Sequence, residues 1–251
     1  MTHPTIPEIN PSTSIYVKDA EASRGSPDLD PFIAWQYDLG VEVYFGETQE
    51  GIFAVAGFIK DVESFIVPIN STETFGFPQF GIPAQAYSVS SYKNGGEASI
   101  SGLEFNLQTP FIFLPDALAN FGGAFNYPYT DSEFTDVNGN SFTFPGASKD
   151  TYNLIVYYEQ GGFSGRIAYS YRGDYLDEVS DEVDGSNTLY GEGTGRLDLS
   201  LRYRWQNGLR LSVDATNLTE ESSYRYYDIA QCYQNYEFEG TIYSISMGYS
   251  Y

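Results

Sequence analysis

The chain has 251 residues, and 34 acidic against 12 basic side chains give it a formal net charge of −22. This length suffices for one large β domain or two small domains, and the acidity excludes a protein that binds nucleic-acid phosphates. With one histidine, His3, and one cysteine, Cys232, an intrachain disulfide cannot form, and a His- or Cys-based zinc site or a His-driven catalytic triad is not expected.

Nine segments alternate between apolar and polar residues, which is the pattern of a strand with one apolar face. Many reach ten residues or more, whereas strands of globular proteins typically have about 5–6 residues. Such lengths suit strands that cross a membrane. A soluble antiparallel sandwich is the alternative for this alternation alone. The predicted strands are 34–45, 52–67, 85–108, 119–130, 150–159, 162–173, 193–205, 208–218 and 239–251.

The connections between these segments alternate in length. Those at 46–51, 109–118, 160–161 and 206–207 are short or modest, and those at 68–84, 131–149, 174–192 and 219–238 are long. Outer-membrane barrels have short periplasmic turns and long extracellular loops. To keep this rhythm, we interpret Asn94-Gly95-Gly96 as a glycine kink within one strand rather than as a hairpin turn.

The sequence therefore predicts an all-β fold, the C-terminal portion of an antiparallel transmembrane β-barrel with about nine strands. Residues 1–33 would be an extracellular segment before the first strand, and 34–251 would hold the barrel strands and their long loops. Nine strands begin outside and end on the periplasmic side, whereas a complete single-chain bacterial barrel has an even number. We therefore expect a larger barrel, in which Met1 is an internal methionine.

Six segments carry a family resemblance in a fixed order. They are 23–31 (Ser-Arg-Gly-Ser-Pro-Asp-Leu-Asp-Pro), 37–42 with 58–61, 94–98 (Asn-Gly-Gly-Glu-Ala) with 102–104, 126–131 (Asn-Tyr-Pro-Tyr-Thr-Asp), 215–220 (Ala-Thr-Asn-Leu-Thr-Glu) and 240–251. Together they resemble the C-terminal barrel of TonB-dependent outer-membrane receptors over nearly the whole chain. Ser26 stands where the family usually has Asn, Thr241 where Arg is frequent, and Pro128 departs from the Tyr-x-Tyr strand end.

The resemblance implies a barrel of about 22 strands around an N-terminal plug. It also implies location in the outer membrane of a Gram-negative cell and TonB-driven uptake of a scarce nutrient such as an iron chelate or a carbohydrate. TonB would act through a plug that is not visible in this chain, so the chain would be inactive without the plug and the upstream strands. Outer-membrane lipid, lipopolysaccharide and the outer-membrane assembly machinery are the other expected partners.

Arginines close to the short connections form one candidate site. We expect them at the periplasmic end of the lumen, where they would pair with plug carboxylates or simply be solvated: Arg166, Arg202, Arg204 and Arg210.

Two candidate sites lie in long loops. A tyrosine-rich loop suits a sugar or a flat chelate, unless its rings merely pack over the barrel mouth: Tyr224, Tyr226, Tyr227, Tyr233 and Tyr236. The acidic loop before it could ligate Ca²⁺ through Asp177, Asp181 and Asp184, although the spacing differs from an EF-hand and solvated loop carboxylates are the alternative. No other cofactor is expected.

The C-terminal segment resembles the signal read by the assembly machinery: Tyr243, Ile245, Met247, Tyr249 and Tyr251. Two other functions stay open at this point. One is a small complete barrel that serves as an adhesin or structural protein. The other is a barrel protease or lipase, which the shortage of histidine disfavours, so we do not expect an enzyme.

Overall fold

Strands dominate the computed structural model, which describes residues 3–95, 97–135, 139–179 and 188–250. Outside the strands there is one short helix, Ile6–Ile9, and there are two 3-10 turns, Pro78–Phe80 and Asp116–Asn120. No helix within the described ranges combines the length and the apolar character that crossing a bilayer requires.

The strands are numbered in chain order. They are β1 (Ser14–Tyr16), β2 (Glu21–Ser23), β3 (Ile33–Phe45), β4 (Gly51–Glu63), β5 (Ile66–Phe77), β6 (Ile82–Asn94), β7 (Ala98–Pro110), β8 (Phe121–Thr135), β9 (Ser141–Phe142), β10 (Thr151–Gln160), β11 (Phe163–Arg172), β12 (Tyr175–Glu178), β13 (Leu189–Gly191), β14 (Thr194–Arg204), β15 (Leu209–Thr216), β16 (Ser223–Tyr227), β17 (Tyr233–Glu237) and β18 (Ile242–Tyr249).

One large antiparallel sheet forms the centre of the structure. Nine strands follow one another in the order β3-β4-β7-β8-β10-β11-β14-β15-β18, and β9 adds a short pairing with β8. The connections within this sheet are short at 46–50, 111–120, 161–162 and 205–208, and long between the other neighbours. The predicted antiparallel all-β fold and the alternation of connection lengths are confirmed.

The register places apolar side chains on one face of the nine-strand sheet. Val41, Val55 and Phe105 lie opposite one another on β3, β4 and β7. Many side chains of this face are exposed, for example Leu39 at 79% and Met247 at 76%. Because side chains alternate across a strand, the other face carries the polar residues. A large exposed apolar face on long strands fits hydrocarbon rather than water.

The predicted single strand 85–108 is wrong, because the chain passes from one sheet to another at Gly95. β6 ends at Asn94 and pairs with β5, whereas β7 begins at Ala98 and pairs with β4 and β8. The Gly95 amide donates to the Phe65 carbonyl, and a Cβ on Gly95 would lie 2.8 Å from the Phe65 ring. Local alternation cannot reveal this change of partner strand. The expectation that Asn94-Gly95-Gly96 is not a hairpin turn agrees with the structure, because β6 and β7 do not pair with each other.

Two small sheets extend above the large one. In the first, of order β1-β2-β6-β5, β2 runs parallel to β6, and Arg24 pairs with Glu73 at 2.6 Å. Residues 14–24 are therefore attached to the β5–β6 hairpin, whose strands occupy most of the predicted loop 68–84. The second sheet has the order β12-β13-β16-β17 and is built from the connections that follow β11 and β15.

A hydrophobic core closes the upper end of the large sheet. Val62, Ala98 and Phe134 face one another in register, and Phe65 meets Phe134 edge-on with ring centroids 5.5 Å apart. Leu176 from β12 completes this cluster. The core thereby ties the second small sheet to β4, β7 and β8.

The two faces of β11 allow a matched test. Ile167 is half exposed on the apolar face, and its neighbour Ala168 lies opposite Asp198 on the polar face. We expect Ile167→Arg to lower the free energy of unfolding by about 2–4 kcal/mol, because it places a cation in hydrocarbon. Ala168→Arg should change it much less. Chemical unfolding in lipid bilayers measures both, and equal losses would contradict the assignment of the faces.

Candidate ligand-binding surfaces of the lumen wall and the extracellular sheet

The four predicted arginines meet on the polar face near its short turns. Arg204 lies directly opposite Arg210 across the turn 205–208, while Arg202 lies opposite Ser164 and Arg166 opposite Ser200. Arg202, Arg204 and Arg210 line a concavity of about 710 Å³ together with Glu159. Arg166 and Arg202 line a second one of about 570 Å³ with the same glutamate.

These arginines have no ion-pair partner within the described ranges. By contrast, Arg196 at the upper end of β14 forms two ion pairs. Its Nε lies 3.4 Å from Asp198 Oδ1, and its Nη1 lies 3.9 Å from Glu239 Oε2. The lower lumen wall therefore carries four arginines that form no ion pair within the described part of the chain, and Glu159 is the carboxylate that shares both concavities with them. A carboxylate or another anion that approached this wall would be attracted.

The tyrosine-rich loop is a strand pair rather than an irregular loop. Tyr224, Tyr226 and Tyr236 join Tyr190 of β13 in a row of rings that crosses the second small sheet. The ring centroids are 5.7 Å apart for Tyr190 and Tyr226, 6.0 Å for Tyr224 and Tyr226, and 6.4 Å for Tyr224 and Tyr236. We call these four residues the tyrosine row.

One side of the second small sheet carries the tyrosine row. Tyr190 lies opposite Leu176 of β12 and Tyr226 of β16, and Tyr224 lies opposite Tyr236 of β17. Tyr190 also packs against the hydrophobic core at the upper end of the large sheet. The row therefore lies on the side of the second small sheet that contacts this core.

Carboxylates flank the tyrosine row. Burial raises the pKa of Tyr226, and the negative charges of Asp174 and Glu192 raise this pKa further. The Glu192 amide donates to the Tyr224 carbonyl at 2.9 Å, and the Tyr224 hydroxyl donates to the Ala230 carbonyl. Tyr226 thus stays a neutral phenol next to two negative groups.

Not all predicted loop residues join the row. Tyr227 is on the other side of β16. Tyr233 lies opposite Tyr226 in register, but its ring is 69% exposed and contacts no ring of the row within the described ranges. The sequence analysis overlooked Tyr190 and Glu192. The signal was that Tyr190 and Glu192 alternate with Gly191 just before the predicted strand 193–205. Both have even numbers, as do the polar residues of that strand that are predicted to face the lumen.

The other sequence candidates lie as follows. Asp177 pairs with Arg225 at 3.2 Å, while Asp181 and Asp184 lie outside the described residues. Within the described ranges, no group of three or more potential metal ligands occurs. The Ca²⁺ site stays a prediction.

The C-terminal residues lie on the apolar face of β18. Tyr243, Ile245, Met247 and Tyr249 are between 62% and 76% exposed there. Tyr251 lies outside the described residues. Their role as an assembly signal stays a prediction.

The family model of the TonB dependent receptor-like beta-barrel matches residues 3–218. The chain belongs to this family. Barrels of the family lie in the outer membrane, and the nine-strand sheet corresponds to part of such a barrel. A search of curated proteins finds no match.

Solved receptors share this fold. A variant of the ferric enterobactin receptor PfeA from Pseudomonas aeruginosa matches 98% of the chain with 36% of its own length, at 16% identity and a TM-score of 0.66. The siderophore receptor PirA from Acinetobacter baumannii matches 92% of the chain with 33% of its own length, at 17% identity and a TM-score of 0.64. The copper transporter OprC matches 91% of the chain with 32% of its own length, at 16% identity and a TM-score of 0.62. The chain thus spans about a third of the length of these proteins.

The charges beside Tyr226 give a testable titration. Replacing Asp174 with Asn and Glu192 with Gln removes two repulsive charges, so the pKa of Tyr226 should fall toward its ordinary value while burial keeps it raised. The difference in phenolate absorbance between this variant and the same variant with Tyr226→Phe reports that pKa. Glu237→Gln, on the other side of β17, is the control and should leave the pKa unchanged. A pKa that stays the same in the double variant would contradict the geometry.

Proposed function

We propose that this chain forms part of the barrel of a receptor that takes up a small nutrient through energy from TonB. The unpaired cluster of four arginines on the lumen wall carries this proposal. In a closed barrel these cations face inward, where a plug with surface carboxylates would supply their counter-ions. Iron chelates, carbohydrates and similar scarce small nutrients are the ligand classes that we propose.

The edges of the nine-strand sheet support a larger barrel. Within the described ranges, β3 pairs only with β4, and β18 pairs only with β15. Hydrocarbon offers no hydrogen-bond partner for an open edge, so further strands are needed on both sides. We propose that the chain is inactive without those strands and the plug. Lipid and lipopolysaccharide would surround the barrel, and the assembly machinery would bind β18.

Uptake in cells tests this function. Cells that express the intact receptor, and cells that lack it, receive iron chelates with radioactive iron, labelled oligosaccharides or labelled organic cations. Each strain is compared with and without TonB. We expect one of these probes to enter only when both the receptor and TonB are present. Uptake that does not change when TonB is removed would contradict the proposal.

Arginine variants test the contact with the plug. In the intact receptor, Arg202→Ala with Arg204→Ala should weaken plug retention by about 1–3 kcal/mol, because charge-assisted hydrogen bonds are lost. The plug should then unfold at lower urea concentration while the barrel stays folded. Arg196→Ala is the matched control, since Arg196 already pairs with acids of the barrel. Plug unfolding at the wild-type urea concentration in the double variant would argue against the contact.

A further inference from the structure

The side of the extracellular sheet that carries the tyrosine row has negative groups and no positive one within the described ranges. Asp174 and Glu192 lie close enough to Tyr226 for their negative charges to raise its pKa, and the Gly193 amide donates to the Asp174 carboxylate at 2.6 Å. Arg225 is on the other side of β16, where it pairs with Asp177. The row therefore combines four aromatic rings with two carboxylates.

The neighbouring arginines are held by other groups. Arg172 donates to the Ser148 hydroxyl at 2.8 Å and to the Gly146 carbonyl at 2.7 Å, and its guanidinium lies over the Tyr175 ring. Arg196 is paired with two acids, as described above. Neither side chain forms an ion pair with Asp174 or Glu192 within the described ranges.

We infer that the tyrosine row binds a small organic cation with several ammonium groups. This inference rests on the proposed uptake function and names the charge class of its ligand. Electron-rich tyrosine rings attract cations, phenol oxygens accept hydrogen bonds from ammonium groups, and carboxylates add a long-range attraction. A ligand with several positive charges uses all three kinds of group at once.

The same protein already shows this chemistry elsewhere. The Lys149 ammonium lies 5.5 Å from the centre of the Tyr129 ring, and the Arg172 guanidinium carbon lies 3.7 Å from that of Tyr175. The hydrogen bond and the charge of Tyr129, with the nearby Asp131, raise the pKa of Lys149. A tyrosine beside a carboxylate thus stabilises an ammonium group in this extracellular region.

The spacing of the row fits an oligoamine. Consecutive ring centroids are 5.7, 6.0 and 6.4 Å apart. Linkers of three or four carbons place neighbouring ammonium groups about 5–6 Å apart. Spermidine, which has both linkers, can therefore follow the row with successive charges near successive rings.

The charge of the predicted extracellular segments disfavours an anionic chelate at this place. Residues 1–33, 68–84, 131–149, 173–192 and 219–238 contain 20 of the 34 acids and 4 of the 12 bases. A ferric tris-catecholate complex is a trianion, and like charges in a partly desolvated site repel one another. The row therefore discriminates between these two classes of ligand.

Calorimetric titration of the intact receptor in detergent micelles tests the inference with spermidine and, separately, with ferric tris-catecholate. We expect spermidine to bind and the catecholate complex not to bind at the row. Tyr226→Ala should weaken spermidine binding by about 2- to 30-fold, as expected for the loss of one cation–π contact. Tyr226→Phe, which keeps the ring, should weaken it less, and Glu192→Gln should also weaken it.

Tyr16→Ala is the control variant, because Tyr16 is an exposed tyrosine in the other small sheet and should not alter spermidine binding. The inference is overturned if spermidine does not bind, or if Tyr226→Ala and Glu192→Gln leave its affinity unchanged. Catecholate binding that Tyr226→Ala abolishes would also overturn it. In these cases TonB-dependent uptake of another probe would leave the proposed function intact. Spermidine binding at the row without any TonB-dependent uptake would count against the proposed function instead.

Discussion

The need to pair every backbone N–H and C=O group governs this structure. Hydrocarbon offers these groups no partner, so a strand that crosses a membrane must pair on both sides. The seven inner strands of the nine-strand sheet meet this requirement, and β3 and β18 meet it on one side each within the described ranges. The long strands and the strict order of neighbours follow from this constraint, and the larger barrel is proposed because of it.

Pairing in register also sorts the side chains. Because neighbours on adjacent strands share a face, one face collects the lipid-facing residues and the other collects the charges. The arginine cluster lies on the polar face near the short turns, and the tyrosine row lies in the small sheet that the long connections after β11 and β15 form. The two ends thus differ, with cations at the lower end and aromatic rings with carboxylates at the upper end. A positively charged ligand captured at the upper end would meet a repulsive wall below, so the position of the plug would matter for its passage.

Much of this arrangement could be predicted from the sequence. Alternation with period two locates the strands of the large sheet, except that it joins β7 to β6 across Gly95. Parity together with distance from the short turns places Arg202 and Arg210 in one cluster. The small sheets could not be predicted, because the same alternation suits a strand that pairs within the membrane and one that pairs above it. The parallel pairing of β2 with β6 joins segments more than sixty residues apart, and the break at Gly95 depends on Phe65, which is distant in sequence. Tyr190 was overlooked because its partner in the row lies on another strand.

The central claim is that the two faces of the sheet meet lipid and lumen, and spin-label accessibility along β11 tests it most directly. With Cys232 replaced by Ser, residues 163–170 of the intact receptor are changed one at a time to a spin-labelled cysteine in lipid bilayers. Collision with oxygen, which dissolves in lipid, should peak at positions such as Phe163, Ile167 and Tyr169 and fall at Ser164 and Ala168. Accessibility without this period of two, or with maxima at the even positions, would contradict the account.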